Sequence, residues 1–328
     1  MLSVKQNFVE TVTGGQPERF VKQYEPFKLF FPPFMYRSKS PVCGGGPVEN
    51  AWGVTLSWPE GTPGPFPVHT EDKIVIKDIA RWREYVSAPR AKSTTQEWTP
   101  ILKAAGQVDR EQYIVTACVA PGIFEQCHYL CEIQNTLMSF YLEPDSLKEL
   151  IEYITDWELE LAEDICEHLK PEALLHHDDW GSQKSTFISP EMFEEFIVPS
   201  YKRVYGYYKS HGVKYIIHHS DSYAETLVPD MIEMGIDIWQ GALQSNNISQ
   251  IIEKYGGKIS VMGGIDCALV DYDGVTRERV REVTQDICRR CGKRYFIPCT
   301  TQGGPGSIYP GVYEMVDEEI KRASRLMP

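Results

Sequence analysis

His218-His219-Ser220-Asp221 follows the apolar run Val213-Lys214-Tyr215-Ile216-Ile217, and Cys299 follows a second run, Tyr295-Phe296-Ile297-Pro298. In a strand, residues two apart point to the same face, so His219 and Asp221 can converge on one atom. An imidazole and a carboxylate can ligate a divalent metal or move a proton, and a thiol from Cys299 would complete a three-ligand set if both strands open onto one mouth. The same residues also have plainer readings. His219 and Asp221 could be a hydrogen-bonded pair closing a turn, and Cys299 an inert buried thiol.

Other strand ends are polar as well: His177-Asp178-Asp179-Trp180-Gly181, Gly263-Gly264-Ile265-Asp266, and Cys299-Thr300-Thr301-Gln302-Gly303-Gly304. The elements that position them alternate short β-rich runs with amphipathic helical stretches, the pattern of parallel βα units. Strands are expected at 113–118, 173–177, 214–218, 236–240, 259–263 and 294–298, with helices at 146–168, 190–209, 223–234, 249–255 and 276–291. Ser189 before Pro190 suits an N-cap followed by a first-turn proline. A closed barrel needs eight strands, so two must come from the first 110 residues, around 27–31 and 51–57. The Gly/Pro-rich stretch 32–67 reads as long loops, which usually act as lids or binding walls. Asp178 or Asp179 could alternatively cap a turn, and Gly303-Gly304-x-Gly306 lacks the strand–helix context of a phosphate cradle.

The chain of 328 residues is 42% hydrophobic and 24% charged, enough apolar material for a large core. Its formal net charge of −13 argues against nonspecific binding to nucleic acid or an anionic membrane. No stretch approaches the ~18 uninterrupted apolar residues of a spanning helix, and the start lacks a secretory apolar region. Nine cysteines without that signal suit reduced thiols, so the expected compartment is the cytoplasm. Cys288-x-x-Cys291 has no second ligand pair nearby and reads as two helix thiols.

The order of these motifs resembles the uroporphyrinogen decarboxylase superfamily, in particular its cobalamin-linked methyltransferase branch. Asp178-Asp179-Trp180-Gly181-Ser182-Gln183, followed by Ile188-Ser189-Pro190-Glu191-Met192-Phe193, is similar to the family's "DDWG…ISPEMF" segment. His219-Ser220-Asp221 is similar to its next strand-end turn, and Gly263-Gly264-Ile265-Asp266 to the one after. The opening, Gln6-Asn7-Phe8-Val9-Glu10-Thr11-Val12 with Gly14-Gly15-Gln16-Pro17-Glu18-Arg19, is similar to the family's N-terminal helix. The resemblance implies an α/β fold, a (β/α)8 TIM barrel with an N-terminal helical and loop extension. All 328 residues would form one domain, with long loops up to 110 and regular βα units from 111.

The resemblance also implies a chemistry. True decarboxylases of the superfamily carry an Arg-x-x-x-Arg loop for porphyrin carboxylates, whereas the comparable stretch here, Phe30 to Lys39, holds the single arginine Arg37. Thiol-methylating members hold zinc by His, Cys and a late Cys; by that alignment the ligands here would be His219, Asp221 and Cys299. Exchanging a thiolate for Asp221 makes a harder Lewis acid, which favours activating an oxygen. The expected reaction moves a methyl group from a small donor, a methoxylated aromatic, to the cobalt(I) of a corrinoid protein. Catalysis is expected from His219, Asp221, His177 and Asp179. Substrate contacts are expected from Asp178, Trp180, His218 and Trp52, with aromatic rings sandwiching the donor. Decarboxylation and noncatalytic binding of a small molecule or corrinoid protein are the alternatives. Methylamines and glycine betaine are not separated from methoxybenzenes by these residues.

Overall fold

The computed structural model describes residues 1–62, 64–302 and 308–327, so Gly303-Gly304-x-Gly306 falls outside the described residues. Seven parallel strands form a curled sheet whose spatial order is the chain order: β1 (Phe27–Phe30), β2 (Ile114–Val119), β3 (Ala173–His177), β4 (Tyr215–His219), β5 (Ile238–Ala242), β6 (Ser260–Ile265) and β7 (Phe296–Thr300). Helices follow the strands on the outside, which makes this a TIM-barrel-like α/β fold. β2 through β7 are buried on both faces, as strands between a filled interior and a helix layer must be, so their sequences are nearly continuous apolar runs.

The expected strand at 51–57 does not join this sheet. Thr55–Ser57 instead pairs antiparallel with Val48–Glu49 and Phe66–Pro67 in a separate three-stranded sheet. Pro47, Pro59, Pro65 and Pro67 remove backbone donors around it, which keeps each strand to two or three residues. Between the edge strands β7 and β1, Gln23 supplies the bridge. Its N–H donates to the Pro298 carbonyl at 3.2 Å, and its Oε1 accepts from Thr300 N at 3.3 Å and Thr300 Oγ1 at 3.1 Å.

Inside the barrel, Leu175, Ile217, Ile238, Met262 and Ile297 meet in one buried cluster. Each such side chain contributes about 1.5–3 kcal/mol on leaving water. The amino-terminal end is closed by helix α1 (Val4–Thr13), which starts in a Ser3–Gln6 capping box. Phe8 of α1 is fully buried and meets Phe27 and Tyr215 edge-on at 5.2 and 5.1 Å. With that end filled by apolar groups, the polar residues are left to the opposite mouth.

Three further helices frame that mouth: α2 (Ile123–Cys131), α3 (Pro144–His168) and α4 (Val198–Ser210). The stretch 190–209 forms two helices, Pro190–Phe196 and α4, that meet at Ile197. Pro199 fits the first turn of a helix but would interrupt the middle of one. Ser189 caps the first of them through Met192 N at 3.3 Å, as its position before Pro190 suggests. The sheet is irregular at one point near the mouth, where the register between β5 and β6 slips between Gln240 and Ala242. Gly241 there has φ +93°, and a Cβ on Gly263 would lie 2.7 Å from the Ala242 backbone. Such a bulge re-aims the neighbouring side chain, here Gln240.

Candidate active site

Strand alternation sorts the candidate residues into two sets. β3 and β4 run in register, with His176 opposite His218 and His177 opposite His219. Leu175 and Ile217 point into the barrel, so a period of two sends His177 and His219 the same way at the mouth, followed by Asp179 and Asp221. His176, Asp178, Trp180 and His218 turn instead towards the helices.

The inward set is compact. The His177 and His219 rings stack with centroids 4.3 Å apart and planes 18° from parallel. His177 donates Nδ1–H to Glu125 Oε2 at 2.8 Å, and its Nε2 lies 3.9 Å from Asp179 Oδ2. His219 donates Nδ1–H to Gln240 Oε1. Asp179 Oδ1 accepts the backbone N–H of Asp221 at 2.9 Å, which ties the ends of β3 and β4 together. One ligand atom from each of His177, Asp179 and His219 lies within 4.8 Å of the other two.

Electrostatics divides the labour within this set. Two stacked imidazoles cannot both be charged without strong repulsion. Burial, then the neighbouring His177, lowers His219 to about 4, so its ring is neutral at pH 7. For His177 burial works in the same direction, but the carboxylates of Glu125, Asp179 and Asp221 outweigh it and raise the ring to about 10. Burial, then the Asp179 charge, pushes Asp221 up to about 8, while a hydrogen bond to the Gln302 side chain opposes the shift. Burial raises Glu125 as well, against the pull of His177. The mouth therefore combines a neutral ring, a cationic ring and carboxyl groups poised to hold or release a proton.

The outward set, which includes the expected substrate contacts Asp178, Trp180 and His218, is buried behind the mouth, where its polar atoms meet other protein groups. Asp178 is fully buried and accepts Phe124 N at 3.0 Å, Glu125 N at 2.7 Å, Trp180 Nε1 at 3.0 Å and the Tyr201 hydroxyl. It thereby caps α2, whose own N-cap residue, Gly122, has no side chain to do so. A Cβ at Gly122 would lie 2.4 Å from the Tyr201 hydroxyl, so only glycine lets α2 come this close. His218 is stacked on Trp180 at 3.8 Å and donates Nε2–H to the Asp178 carbonyl at 3.0 Å. The Tyr205 hydroxyl donates to His218 Nδ1 at 2.6 Å and accepts from His176 Nδ1–H at 3.0 Å. Trp180, 1% exposed, completes this layer. Trp52, the fourth expected contact, is buried against Trp157, with ring centroids 5.1 Å apart.

Cys299 is the third correction. It points inward from β7 but is fully buried among Cys118, Met262 and Ile297, and burial holds its thiol far above the ordinary range. β7 stands three strands from β4, and Gln240 of β5 lies between, so Cys299 is not among the clustered ligand atoms. The cluster pairs His219 with His177 and Asp179, while Asp221 adjoins it through Asp179.

Glu125 and Gln240 are absent from the residues expected from sequence, although each fixes one histidine. Glu125 follows β2 after Ala120-Pro121-Gly122, a strand-to-helix transition of the kind that carries function in such barrels. Gln240 is a lone polar residue at the inward position of an otherwise apolar β5. The two histidines keep their Nε2 atoms free because each Nδ1–H has a fixed partner, the arrangement typical of metal-ligating histidines. Once His177 gives up its proton to the ion, two imidazole nitrogens and one carboxylate oxygen make a donor set that fits zinc or another borderline divalent ion.

Uroporphyrinogen decarboxylase (URO-D) is the family that matches, over residues 48–301. A methyltransferase from Methanosarcina mazei has a similar structure, with a TM-score of 0.66 at 10% identity over 99% of both chains. An endo-β-1,4-xylanase from Gloeophyllum trabeum overlaps more loosely, with a TM-score of 0.40 at 10% identity over 68% of this chain and 80% of the xylanase. No curated protein matches the sequence. With most of the barrel and every inward residue of the mouth inside the matched span, the chain belongs to the uroporphyrinogen decarboxylase family.

Proposed function

We propose that this protein is a methyltransferase that moves a methyl group from a small donor, a methoxylated aromatic, to the corrinoid of a partner protein. The observation that carries this reading is the composition of the mouth. Glu125, Asp179 and Asp221 surround the paired histidines, and no arginine is among these groups. Arg37, the single arginine in the stretch where decarboxylases carry a pair, is taken up by Ser93 and Glu97 at 2.9 Å and by the Arg90 carbonyl at 2.7 Å. A polycarboxylate such as a porphyrin would need more positive charge than the single His177 cation supplies among these carboxyl groups. An uncharged ether would not. The methyltransferase of similar fold is consistent with this reading.

The corrinoid, when bound, supplies cobalt(I), the nucleophile that takes the methyl group. A divalent ion in the histidine cluster would supply Lewis acidity at the ether oxygen. The chain's own residues have the complementary task of stabilising the departing phenolate. In the absence of such an ion His177 would place positive charge at this oxygen, and the Asp221 carboxyl can pass a proton to it as the C–O bond breaks, leaving a phenol. His219, neutral and fixed through Nδ1, keeps its Nε2 lone pair facing the same space. Asp178 acts one step removed, because capping α2 holds Glu125 where it grips His177. The protein would work in the cytoplasm, where its nine free cysteines stay reduced.

The test is a spectroscopic cobalt(I) assay with purified protein, a reduced corrinoid carrier protein, and panels of methoxybenzenes, methylamines and betaines. Cobalt(I) is expected to disappear with methoxybenzenes. Consumption with methylamines or betaines alone would overturn the assigned donor class, and no consumption with any donor would overturn methyl transfer.

A further inference from the structure

We propose that His177, Asp179 and His219 bind one divalent cation through two nitrogens and one oxygen, with Glu125 and Gln240 as the residues that position the two imidazoles. For its place in the reaction the inference rests on the proposed methyl transfer; for binding it rests on geometry alone. The ligand atoms already lie within 4.8 Å of one another, before any ion has drawn them together. Each histidine is anchored at Nδ1, His177 by a carboxylate at 2.8 Å and His219 by an amide oxygen, so the nitrogen left on each is Nε2. Asp179 is anchored as well, since its Oδ1 holds the Asp221 N–H at 2.9 Å and its Oδ2 is the oxygen nearer His177. All three ligands are thus held from behind by a second residue, a support that simple surface clusters of acidic groups lack.

The two anchors come from separate elements, and each is itself fixed. Glu125 belongs to the first turn of α2, which Asp178 caps, and Gln240 sits at the β5 bulge. The set differs from the one implied by the family resemblance. It keeps His219, replaces Cys299 with His177, and uses Asp179 as the carboxylate ligand with Asp221 behind it. A set of two imidazole nitrogens and a carboxylate, without sulfur, suits zinc, cobalt(II), iron(II) or manganese(II) better than a thiophilic ion, and its binding would displace the proton held by His177.

The experiment titrates untagged, chelator-stripped protein with Zn²⁺ in a calorimeter and records the visible and near-ultraviolet spectrum with Co²⁺, with circular dichroism to check folding. Wild type is expected to bind one equivalent. Asp179→Asn and His219→Ala should weaken binding at least 100-fold, and Glu125→Gln by roughly 10–100-fold. Cys299→Ser should bind as wild type does, and the Co²⁺ spectrum should lack thiolate charge transfer. Absence of stoichiometric binding by folded wild type would overturn the site. So would a thiolate band that disappears in Cys299→Ser. Because the readout is binding, the site can fail while methyl transfer stands, and the reverse.

Discussion

β3 and β4 each end in a pair of histidines, and the two members of each pair do opposite work. His176 and His218 are sealed under α3 and α4 at 1% and 0% exposure, where they hydrogen-bond to Tyr205 and Asp178. His177 and His219 face the mouth, stacked on each other and linked to Glu125 and Gln240. Residue type and neighbourhood in sequence are the same, so strand parity alone decides. The comparison teaches that one face of a barrel strand builds a site while the other builds the wall that holds it. The link between them is Asp178, an outward residue that places Glu125 against an inward one.

The largest effect should come from breaking the inward pair. Changing His177 or His219 to alanine is expected to lower methyl transfer by about 10³-fold, in the range for loss of a positioned acid–base or charge-stabilising group. Thermal unfolding should shift little by comparison. If either variant kept its rate, the mouth would not be where the chemistry occurs.

Breaking the outward pair should reverse the pattern. His218→Leu leaves the Tyr205 hydroxyl without its acceptor and the Asp178 carbonyl without its donor, at a cost of about 2–4 kcal/mol. Urea melts would read that loss, and the fraction still folded should retain a rate within a few fold of wild type. A large fall in rate at unchanged stability would move His218 into the site.

The smallest effect sharpens the contrast through pH. Burial, then the nearby His176, holds the His218 ring well below its ordinary 6.5, so the folded protein keeps it neutral. The unfolded chain binds that proton below about pH 6.5, so this contribution to stability is complete above that pH and falls away as pH drops. Between pH 7.5 and 5.5 it amounts to about 1.4 kcal/mol. Wild type should lose that much more stability over the interval than His218→Asn, measured by urea melts at both pH values. Equal losses would mean the ring is not held neutral.

Much of this was legible in the sequence. The apolar runs at β2 to β7 gave strands within one or two residues, because strands buried on both faces are written almost entirely in apolar residues. His177, Asp179, His219 and Asp221 are recognisable as candidates because the carboxyl ends of barrel strands are where such folds place their chemistry. Separating them from Asp178, Trp180 and His218 requires the two-residue period at both strand ends, for His177–Asp179 as well as for His219–Asp221. Other features could not be read locally. Glu125 meets His177 from 52 residues away in sequence, and only the folded packing brings α2 against β3. Trp52 looked like a loop aromatic because nothing nearby indicates Trp157 as its partner. For Cys299, motif order along the chain carries no information on the three steps of the sheet that separate β7 from β4.

The most direct test of the whole account places the two faces side by side in the cobalt(I) assay, with a methoxybenzene donor and reduced corrinoid carrier, using wild type, His219→Ala and His218→Asn at matched folded concentration. The account predicts consumption of cobalt(I) by wild type and by His218→Asn at similar rates, and about 10³-fold slower consumption by His219→Ala. Equal rates for wild type and His219→Ala, or loss confined to His218→Asn, would contradict it.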